Sequence, residues 1–225
     1  MTTLDHVTRT CAICGNEDTY VEVGSTSSFG APDLDLRPPE IQRSTMEYWV
    51  QTCRECGFCN YDISEPIDGA ADVVRSDRYR QQLDNQEFRR LANAFLCYAL
   101  LLENAEDYSG AGQVTIQAAW ACDDAGMGNQ ARQCRQWAIA LLQKARENDQ
   151  IDEEPAGAAE ALLADLMRRS GEFDRALETC EAALKQSPEP VIADVLRFQQ
   201  SLVQAKDVTG YTVEDALQAG NQGGQ

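Results

Sequence analysis

Apolar residues recur at helical spacing through most of the chain after its first third. From about Asp77 onward the sequence is rich in Ala, Leu, Gln, Arg and Glu, most of which favour helices. The spacing predicts six helices, over residues 77–105, 111–125, 128–147, 157–170, 173–186 and 189–206. Ser187 is expected to cap the last of these helices, with Pro188 at its first position.

The end of the chain predicts one more helix and a tail. Thr212 is followed three residues later by Asp215, which is the arrangement of a capping box, so a short helix is expected to begin there. Residues 220–225 contain only Gly, Asn and Gln, and we expect them to be disordered. The segment 211–225 is therefore predicted to be a short helix and a disordered tail.

The first 70 residues show a different, strand-like pattern. Residues 1–10 are expected to form a short tail, and the β-rich stretch Thr19–Val23 predicts a strand. Residues 24–39 contain Gly, Ser and three Pro and predict a loop. The stretch Met46–Thr52 alternates, is aromatic and predicts a second strand. Strands first and helices afterwards predict an α+β fold with the two types of structure segregated along the chain.

An internal repeat lies within the helical part of the chain. The segment Ala158 to Pro188 resembles a tetratricopeptide repeat, with small residues where paired helices touch and Gly171 followed by Phe173 at the turn. Ala119, Gly126, Ala131 and Ala138 form a weaker copy of this pattern. Two repeats are few for a solenoid, so the helices at 77–105 and 189–206 are expected to cap the stack.

The spacing of the cysteines predicts a metal centre. Nine cysteines cannot all pair in disulfides, and two Cys-x-x-Cys-Gly motifs occur, Cys11 with Cys14 and Cys53 with Cys56. The glycine allows the positive φ that lets backbone N–H groups approach the sulfurs. Four thiolates make a closed tetrahedral site, which is typical of structural zinc and leaves no position for a catalytic water.

Two alternatives at this site stay open. Cys59 makes a third Cys-x-x-Cys pair with Cys56 and could replace it as the fourth ligand, although the glycine after Cys56 favours the pair Cys53 and Cys56. Four thiolates also accept iron, as in rubredoxin, but zinc is favoured. The remaining cysteines lie in apolar helical patterns and are expected to be core residues: Cys97, Cys122, Cys134 and Cys180.

Charge argues against nucleic acid as the partner. The formal net charge is −18, and residues 1–70, 71–150 and 151–225 carry −8, −2 and −8. Binding to a duplex requires clustered basic residues, so a nucleic-acid partner is disfavoured. One local group of arginines keeps that alternative open: Arg75, Arg78, Arg80, Arg89 and Arg90. Only three residues are Lys, which fits either a halophilic source or a merely acidic cytosolic protein.

Hydropathy predicts no membrane partner. The longest apolar stretch, Leu91 to Leu102, is too short for a bilayer and is interrupted by Asn93. No basic segment followed by an apolar run is found near Met1, so no secretory signal is expected. Together with the unpaired cysteines, this predicts a cytoplasmic protein.

The complete layout resembles an uncharacterised prokaryotic family, domain of unknown function 2225. Its members begin with Cys-x-x-Cys-Gly and carry Tyr-x-Val-x-x-Cys-x-x-Cys-Gly at the second pair, here Tyr48 to Gly57. They continue with an Ala-Trp helix, here Ala119 and Trp120, and a tetratricopeptide-like helical pair. The resemblance covers roughly residues 8–205. It implies an architecture and no known activity.

The expected organisation has three parts. Residues 1–70 are predicted to be a β zinc ribbon, residues 71–210 an all-α tetratricopeptide-like domain, and residues 211–225 the short helix and tail. The expected function is an adaptor or scaffold that docks an unknown protein or peptide in its helical groove, by analogy with such folds. Assembly of the chain into a homo-oligomer is an open alternative.

The sequence leaves two other functional classes open. A nucleic-acid or transcription-associated accessory protein and a rubredoxin-like iron redox protein, with Cys59 as a reactive thiol, are the alternatives. No enzyme is expected. His6 is the single histidine and predicts an exposed tail residue, so no Ser-His or Cys-His catalytic pair can form.

Overall fold

The computed structural model describes residues 1–152 and 155–222, with side chains as far as residue 220. Short antiparallel strands come first and helices follow, which confirms the predicted segregated α+β class. Contacts divide the chain into two units. The first unit comprises Met1–Ser28 and Glu40–Asn148, and the second comprises Phe29–Pro39 and Asp149–Gln225. The domain boundaries at 70/71 and 210/211 stay a prediction.

A β-hairpin opens the first unit. Strand β1 (Thr3–Thr10) pairs with strand β2 (Glu17–Ser25) in antiparallel register, with His6 opposite Val21. The predicted strand at 19–23 is confirmed as part of β2, whereas the prediction that residues 1–10 form a tail is wrong. The first strand contains Thr, Val and Leu at several positions, and it gains its partner only because the cysteine turn reverses the chain.

The aromatic stretch before the second cysteine turn is not the strand that its alternation predicts. A 3-10 helix spans Gln42–Tyr48, and only strand β3 (Gln51–Thr52) pairs with β4 (Cys59–Asn60). The hydroxyl of Thr45 donates to the Gln42 carbonyl at 2.7 Å, and the indole N–H of Trp49 donates to that hydroxyl at 2.8 Å. These local hydrogen bonds stabilise the turn against an extended conformation.

The first unit contains five α-helices besides the 3-10 helix. They are α1 (Ala70–Arg75), α2 (Asp77–Leu83), α3 (Arg90–Asn104), α4 (Tyr108–Asp124) and α5 (Gly128–Glu147). The predicted helix 77–105 is therefore two helices, because residues 84–89, which are polar except for Phe88, form a turn. Asn93 stabilises this turn by donating to the Asn85 carbonyl at 2.7 Å and accepting from Gln82 at 2.8 Å. The prediction for 128–147 is confirmed residue for residue.

The second unit contains helices α6 (Ala158–Ser170), α7 (Phe173–Leu184), α8 (Pro190–Gln204) and α9 (Val213–Gln222). Helix α8 begins with Glu189 as cap and Pro190 in its first turn, so the predicted start at Ser187 and Pro188 is wrong. The capping box is confirmed, since the amides of Thr212 and Asp215 donate to each other's side chains at 2.8 and 3.1 Å. Residues 220–222 belong to α9, and residues 223–225 lie outside the described residues.

The helical hairpins turn where the repeat pattern places its glycines. Gly126, between α4 and α5, and Gly171, between α6 and α7, have φ of +69° and +82°. Ala164, Ala176 and Ala183 are fully buried in the second unit. The tetratricopeptide-like identity of these hairpins stays a prediction. Every described helix is too short or too polar to span a bilayer.

Part of the predicted loop 24–39 is an element of the second unit. The amide of Leu34 donates to the Tyr211 carbonyl at 2.8 Å, and its side chain is buried in the core of that unit. The buried carboxylate of Asp35 forms an ion pair with the partly buried Arg169 at 2.6 Å. The long insert between the two cysteine pairs therefore supplies both a backbone partner and a charge to the second unit.

A buried arginine of α6 binds the segment 207–209 that follows α8. Arg168 is fully buried and donates to the Asp165 carboxylate at 2.6 Å. Its other terminal nitrogen donates to the carbonyl oxygens of Asp207 and Thr209 at 2.6 and 2.9 Å. A buried charge is tolerated only when it is paired and hydrogen-bonded in this way.

Candidate metal centre

The first cysteine turn reverses the chain between β1 and β2. The amide of Cys11 donates to the Asn16 carbonyl at 2.8 Å, and the amide of Gly15 donates to the Cys11 carbonyl at 2.9 Å. Gly15 has φ of +73°, a left-handed conformation that glycine adopts without steric cost. The turn therefore requires the glycine that follows the second cysteine.

The second cysteine turn repeats this scheme between β3 and β4. The amide of Cys53 donates to the Phe58 carbonyl at 2.8 Å, the amide of Gly57 donates to the Cys53 carbonyl at 2.9 Å, and Gly57 has φ of +77°. Here the glycine is also required by packing, because a Cβ added to Gly57 would lie 2.4 Å from the Leu83 side chain.

The two turns bring four sulfur atoms together. The Sγ atoms of Cys11, Cys14, Cys53 and Cys56 all lie within 4.8 Å of one another. The sulfurs of Cys11 and Cys56 are 3.7 Å apart, and those of Cys14 and Cys53 are 3.6 Å apart. A tetrahedral ion with metal–sulfur bonds of about 2.3 Å requires sulfur separations of about 3.8 Å, whereas a disulfide requires about 2.05 Å. The separations fit a four-thiolate metal centre and exclude disulfides between these pairs.

The surroundings of the sulfurs differ within each turn. Cys11 and Cys53, the first cysteine of each turn, are buried, whereas Cys14 is exposed. Burial works against ionisation of Cys53, but the backbone N–H groups of Cys56 and Glu55 donate to its sulfur and the pKa of this thiol is lowered. Burial raises the pKa of Cys11. Backbone donors of this kind orient and stabilise thiolate ligands.

Helix α2 supports the second turn. The hydroxyl of Tyr79 donates to the Gly57 carbonyl at 2.9 Å, and both groups are buried. Leu83, one turn further along α2, packs against the same glycine. The sequence contained no signal for this support, because Tyr79 carries the ordinary apolar spacing of a helix.

The other candidate residues lie outside the four-sulfur group. Cys59 is fully buried, and its sulfur donates to the Gly57 carbonyl at 3.4 Å and lies 3.5 Å from the Thr52 hydroxyl. His6 is exposed, but it lies in strand β1 and not in a tail. The four predicted core cysteines are fully buried in helices: Cys97, Cys122, Cys134 and Cys180.

The chemistry of the donor set is that of a closed site. Four sulfur ligands saturate a tetrahedral ion, so substrate has no coordination position to enter. A centre of this kind holds segments of chain together. Its ligands come from two turns that are separated by the whole of β2, the 29–39 segment and the 3-10 helix.

Comparison with protein families gives a match over most of the chain. The model of a family described as an uncharacterized protein conserved in bacteria (DUF2225) matches residues 7–203. The matched region includes both cysteine turns and helices α1 to α7 with nearly all of α8. No curated protein and no solved structure matches the chain.

Proposed function

We propose that this chain, which belongs to the DUF2225 family, holds a structural zinc ion in its four-cysteine centre and acts as a non-enzymatic protein-interaction module. The observation that carries the first part is the convergence of four sulfurs from two distant turns at separations of 3.6 and 3.7 Å. Sulfur-only ligation favours zinc or iron over harder ions such as magnesium or calcium.

The hairpin buries little of its own apolar surface. Of residues 1–28, all of which the structure describes, only Cys11 is buried. An isolated two-stranded hairpin is marginal in water, because it buries too little apolar surface. Zinc binding to small Cys- and His-ligated peptides is worth about 10–16 kcal/mol, far more than the hairpin needs. These magnitudes support a structural role for the ion.

A groove on the helices of the first unit supports the interaction role. It has a volume of about 370 Å³, and α3 and α5 contribute apolar side chains to its wall, among them Leu96, Leu100, Trp137 and Leu141. Trp137 is 38% exposed, which is unusual for the largest apolar side chain. An exposed tryptophan beside leucines is typical of a site that takes an apolar anchor from a partner.

The charges at the edge of this groove favour a particular partner. Lys144, one of three lysines in a chain of net charge −18, lies there with its ammonium 4.0 Å from the centre of the Tyr108 ring. Arg78 lies at the same groove and pairs with Glu103 at 2.7 Å. Glu103 also lines the groove and offsets Arg78, so Lys144 supplies the net positive charge there. An apolar wall with this ammonium at its edge fits a peptide that presents an apolar side chain followed by a carboxylate.

Metal analysis tests the zinc centre. We expect one zinc ion per chain in the purified protein and no visible absorption. Cys56→Ser should lose the ion, whereas Cys59→Ala, the matched change in the third Cys-x-x-Cys pair, should keep it. A coloured protein containing iron would overturn the assignment to zinc, and a metal-free wild-type protein would overturn the centre itself.

Selection from a phage-displayed peptide library tests the groove. With the zinc-loaded full chain as bait, we expect a consensus of a Leu or Phe followed within one helical turn by Asp or Glu. Trp137→Ala should weaken binding of the selected peptide at least tenfold, and Trp49→Ala, at an aromatic outside the groove, should not. Absence of a consensus, or equal effects of the two changes, would contradict the proposed docking site.

A further inference from the structure

A second cavity in the first unit, unrelated to the helical groove, combines aromatic rings with carboxylates. Its volume is about 480 Å³. Its lining includes three aromatic residues, Tyr48, Trp49 and Tyr61, and three acidic residues, Glu22, Asp62 and Glu65. We propose that this cavity, the aromatic–acidic pocket, binds an alkylammonium cation, either a free amine or the lysine side chain of a basic peptide.

The aromatic side chains are held in place by their polar atoms. The indole N–H of Trp49 donates to Thr45 at 2.8 Å, and the hydroxyl of Tyr61 donates to Gln117 at 2.8 Å. Tyr61 also packs edge-on against Tyr98, with ring centres 4.7 Å apart. Because the polar atoms are already bonded inside the protein, what these residues offer a ligand is mainly the π system of the rings. Aromatic faces attract cations electrostatically, and most strongly when water is partly excluded.

The acidic side chains leave the pocket negative. Glu22 accepts from Arg9 through both oxygens at 2.9 Å and from Gln51 at 2.8 Å. Asp62 accepts from Ser64 and lies 3.6 Å from the same guanidinium of Arg9. Three carboxylates against one guanidinium leave a formal charge of −2. A ligand that enters therefore gains from positive charge, and an anion is repelled.

The mixture of groups discriminates between kinds of cation. A hard divalent ion needs several oxygens converging on one point and gains little from aromatic rings. Here two of the three carboxylates are engaged by Arg9, and the rings form much of the lining. An alkylammonium ion suits both components, because its carbon chain packs on the rings while its charge meets the carboxylates. The volume lies in the range of small-ligand sites, so it admits the chain as well as the charged head.

Calorimetric titration of the zinc-loaded full chain provides the test. The probes are spermidine, a free amine, and a short acetylated peptide amide with one central lysine. Calcium chloride and the same peptide with norleucine in place of lysine are the controls. We expect at least one amine probe to bind, with affinity that falls as salt increases, and neither control to bind.

Variants locate the binding. Trp49→Ala should weaken the amine probe about tenfold, because it removes the largest ring. Glu65→Gln should weaken it less and should reduce its salt dependence. Trp137→Ala, in the helical groove, should leave it unchanged, which separates this proposal from the peptide groove. Zinc content and circular dichroism confirm that each variant is folded, and Tyr61→Phe, which keeps the ring, should bind like wild type.

Each outcome decides the proposal. Binding of spermidine alone identifies a free amine as the ligand, and binding of the lysine peptide alone or of both identifies the side chain. The proposal is overturned if neither amine binds, if calcium binds in their place, or if folded Trp49→Ala and Glu65→Gln bind as tightly as wild type.

Discussion

The two cysteine turns share one hydrogen-bond scheme and differ in what surrounds them. In the first turn nothing lies within 4 Å of a Cβ built on Gly15, and the adjoining hairpin is largely exposed. In the second turn residues 57–60 are all buried, and α2 contributes Tyr79 and Leu83 to the contact. The Cys-x-x-Cys-Gly motif thus predicts the conformation of a turn but not the tertiary contacts that stabilise it. The first turn does have one backbone tie, since the Ala12 amide donates to the Ile63 carbonyl at 3.0 Å. We infer that packing contributes most to the second turn, whereas the first depends more on the metal.

Removal of the metal should have the largest effect, and it should affect the first turn and its hairpin far more than the helices. Chelation, or Cys14→Ser, should remove a contribution of the order of 10 kcal/mol from the hairpin. We expect amides of residues 3–25 to lose protection from hydrogen exchange while those of α3 to α5 keep theirs. Cys180→Ala removes a thiol outside the centre and should leave the hairpin protected. Equal loss of protection in hairpin and helices would contradict the difference between the turns.

Substitution of the two glycines should separate backbone strain from packing. Gly15→Ala introduces only the left-handed strain of a residue with a Cβ, about 1–2 kcal/mol. Gly57→Ala adds a clash with Leu83, so we expect a total loss of about 2–5 kcal/mol. Urea unfolding measures both values, and Gly57→Ala combined with Leu83→Ala tests whether the clash is relieved. Equal losses of unfolding free energy for the two single changes would show that Leu83 moves aside at no cost.

A change in the second unit should leave the metal centre of the first unit intact. Ala176 is fully buried in the second unit, so Ala176→Leu should destabilise the chain by about 1–3 kcal/mol through overpacking. Zinc content should stay at one ion per chain. Thermal unfolding with metal analysis of the same sample measures both quantities. A neutral effect on stability would mean that the interface between α6 and α7 is loosely packed.

The smallest expected effect concerns a single hydroxyl. Tyr79→Phe removes the hydrogen bond to the Gly57 carbonyl and should cost about 0.5–1.5 kcal/mol, because the buried acceptor keeps only the weak thiol donor of Cys59. The zinc affinity of the protein, measured by competition with a zinc indicator dye, should fall by less than tenfold. A complete loss of zinc would show that the second turn depends on this one hydrogen bond.

The helical part of the fold was predictable because its signal is local. Helix α5 matches its predicted bounds, and α4 and α6 to α8 begin or end within a few residues of theirs. There are two exceptions. Helix α1 (Ala70–Arg75) lies outside every predicted helix, and the predicted helix 77–105 breaks at 84–89, where Asn93 supplies hydrogen bonds to the turn. Such a partner is invisible to periodicity, which reports only the face that a helix buries.

The β-hairpin and the 29–39 segment were not predictable in the same way. Strand β1 needs the reversal at Cys11 and the partner β2 before its backbone groups are satisfied. Leu34 and Asp35 read as loop residues, and their partners Tyr211 and Arg169 lie more than 130 residues away in the chain. Aromatic residues at 48 and 49 predict a core strand, yet they line an open cavity because the local 3-10 helix turns them.

The sequence alone determined the helical periodicity, the capping box at Thr212 and the four cysteines that share one motif, because each depends on residues a few positions apart. The folded chain shows the distances at which those sulfurs meet, the place of 29–39 in the second unit, and two cavities of different lining in the first unit. Each of these features depends on contacts between residues that are distant in the chain. Such contacts are selected by how much surface they bury and by whether every buried polar group finds a partner, and a local sequence pattern contains neither quantity.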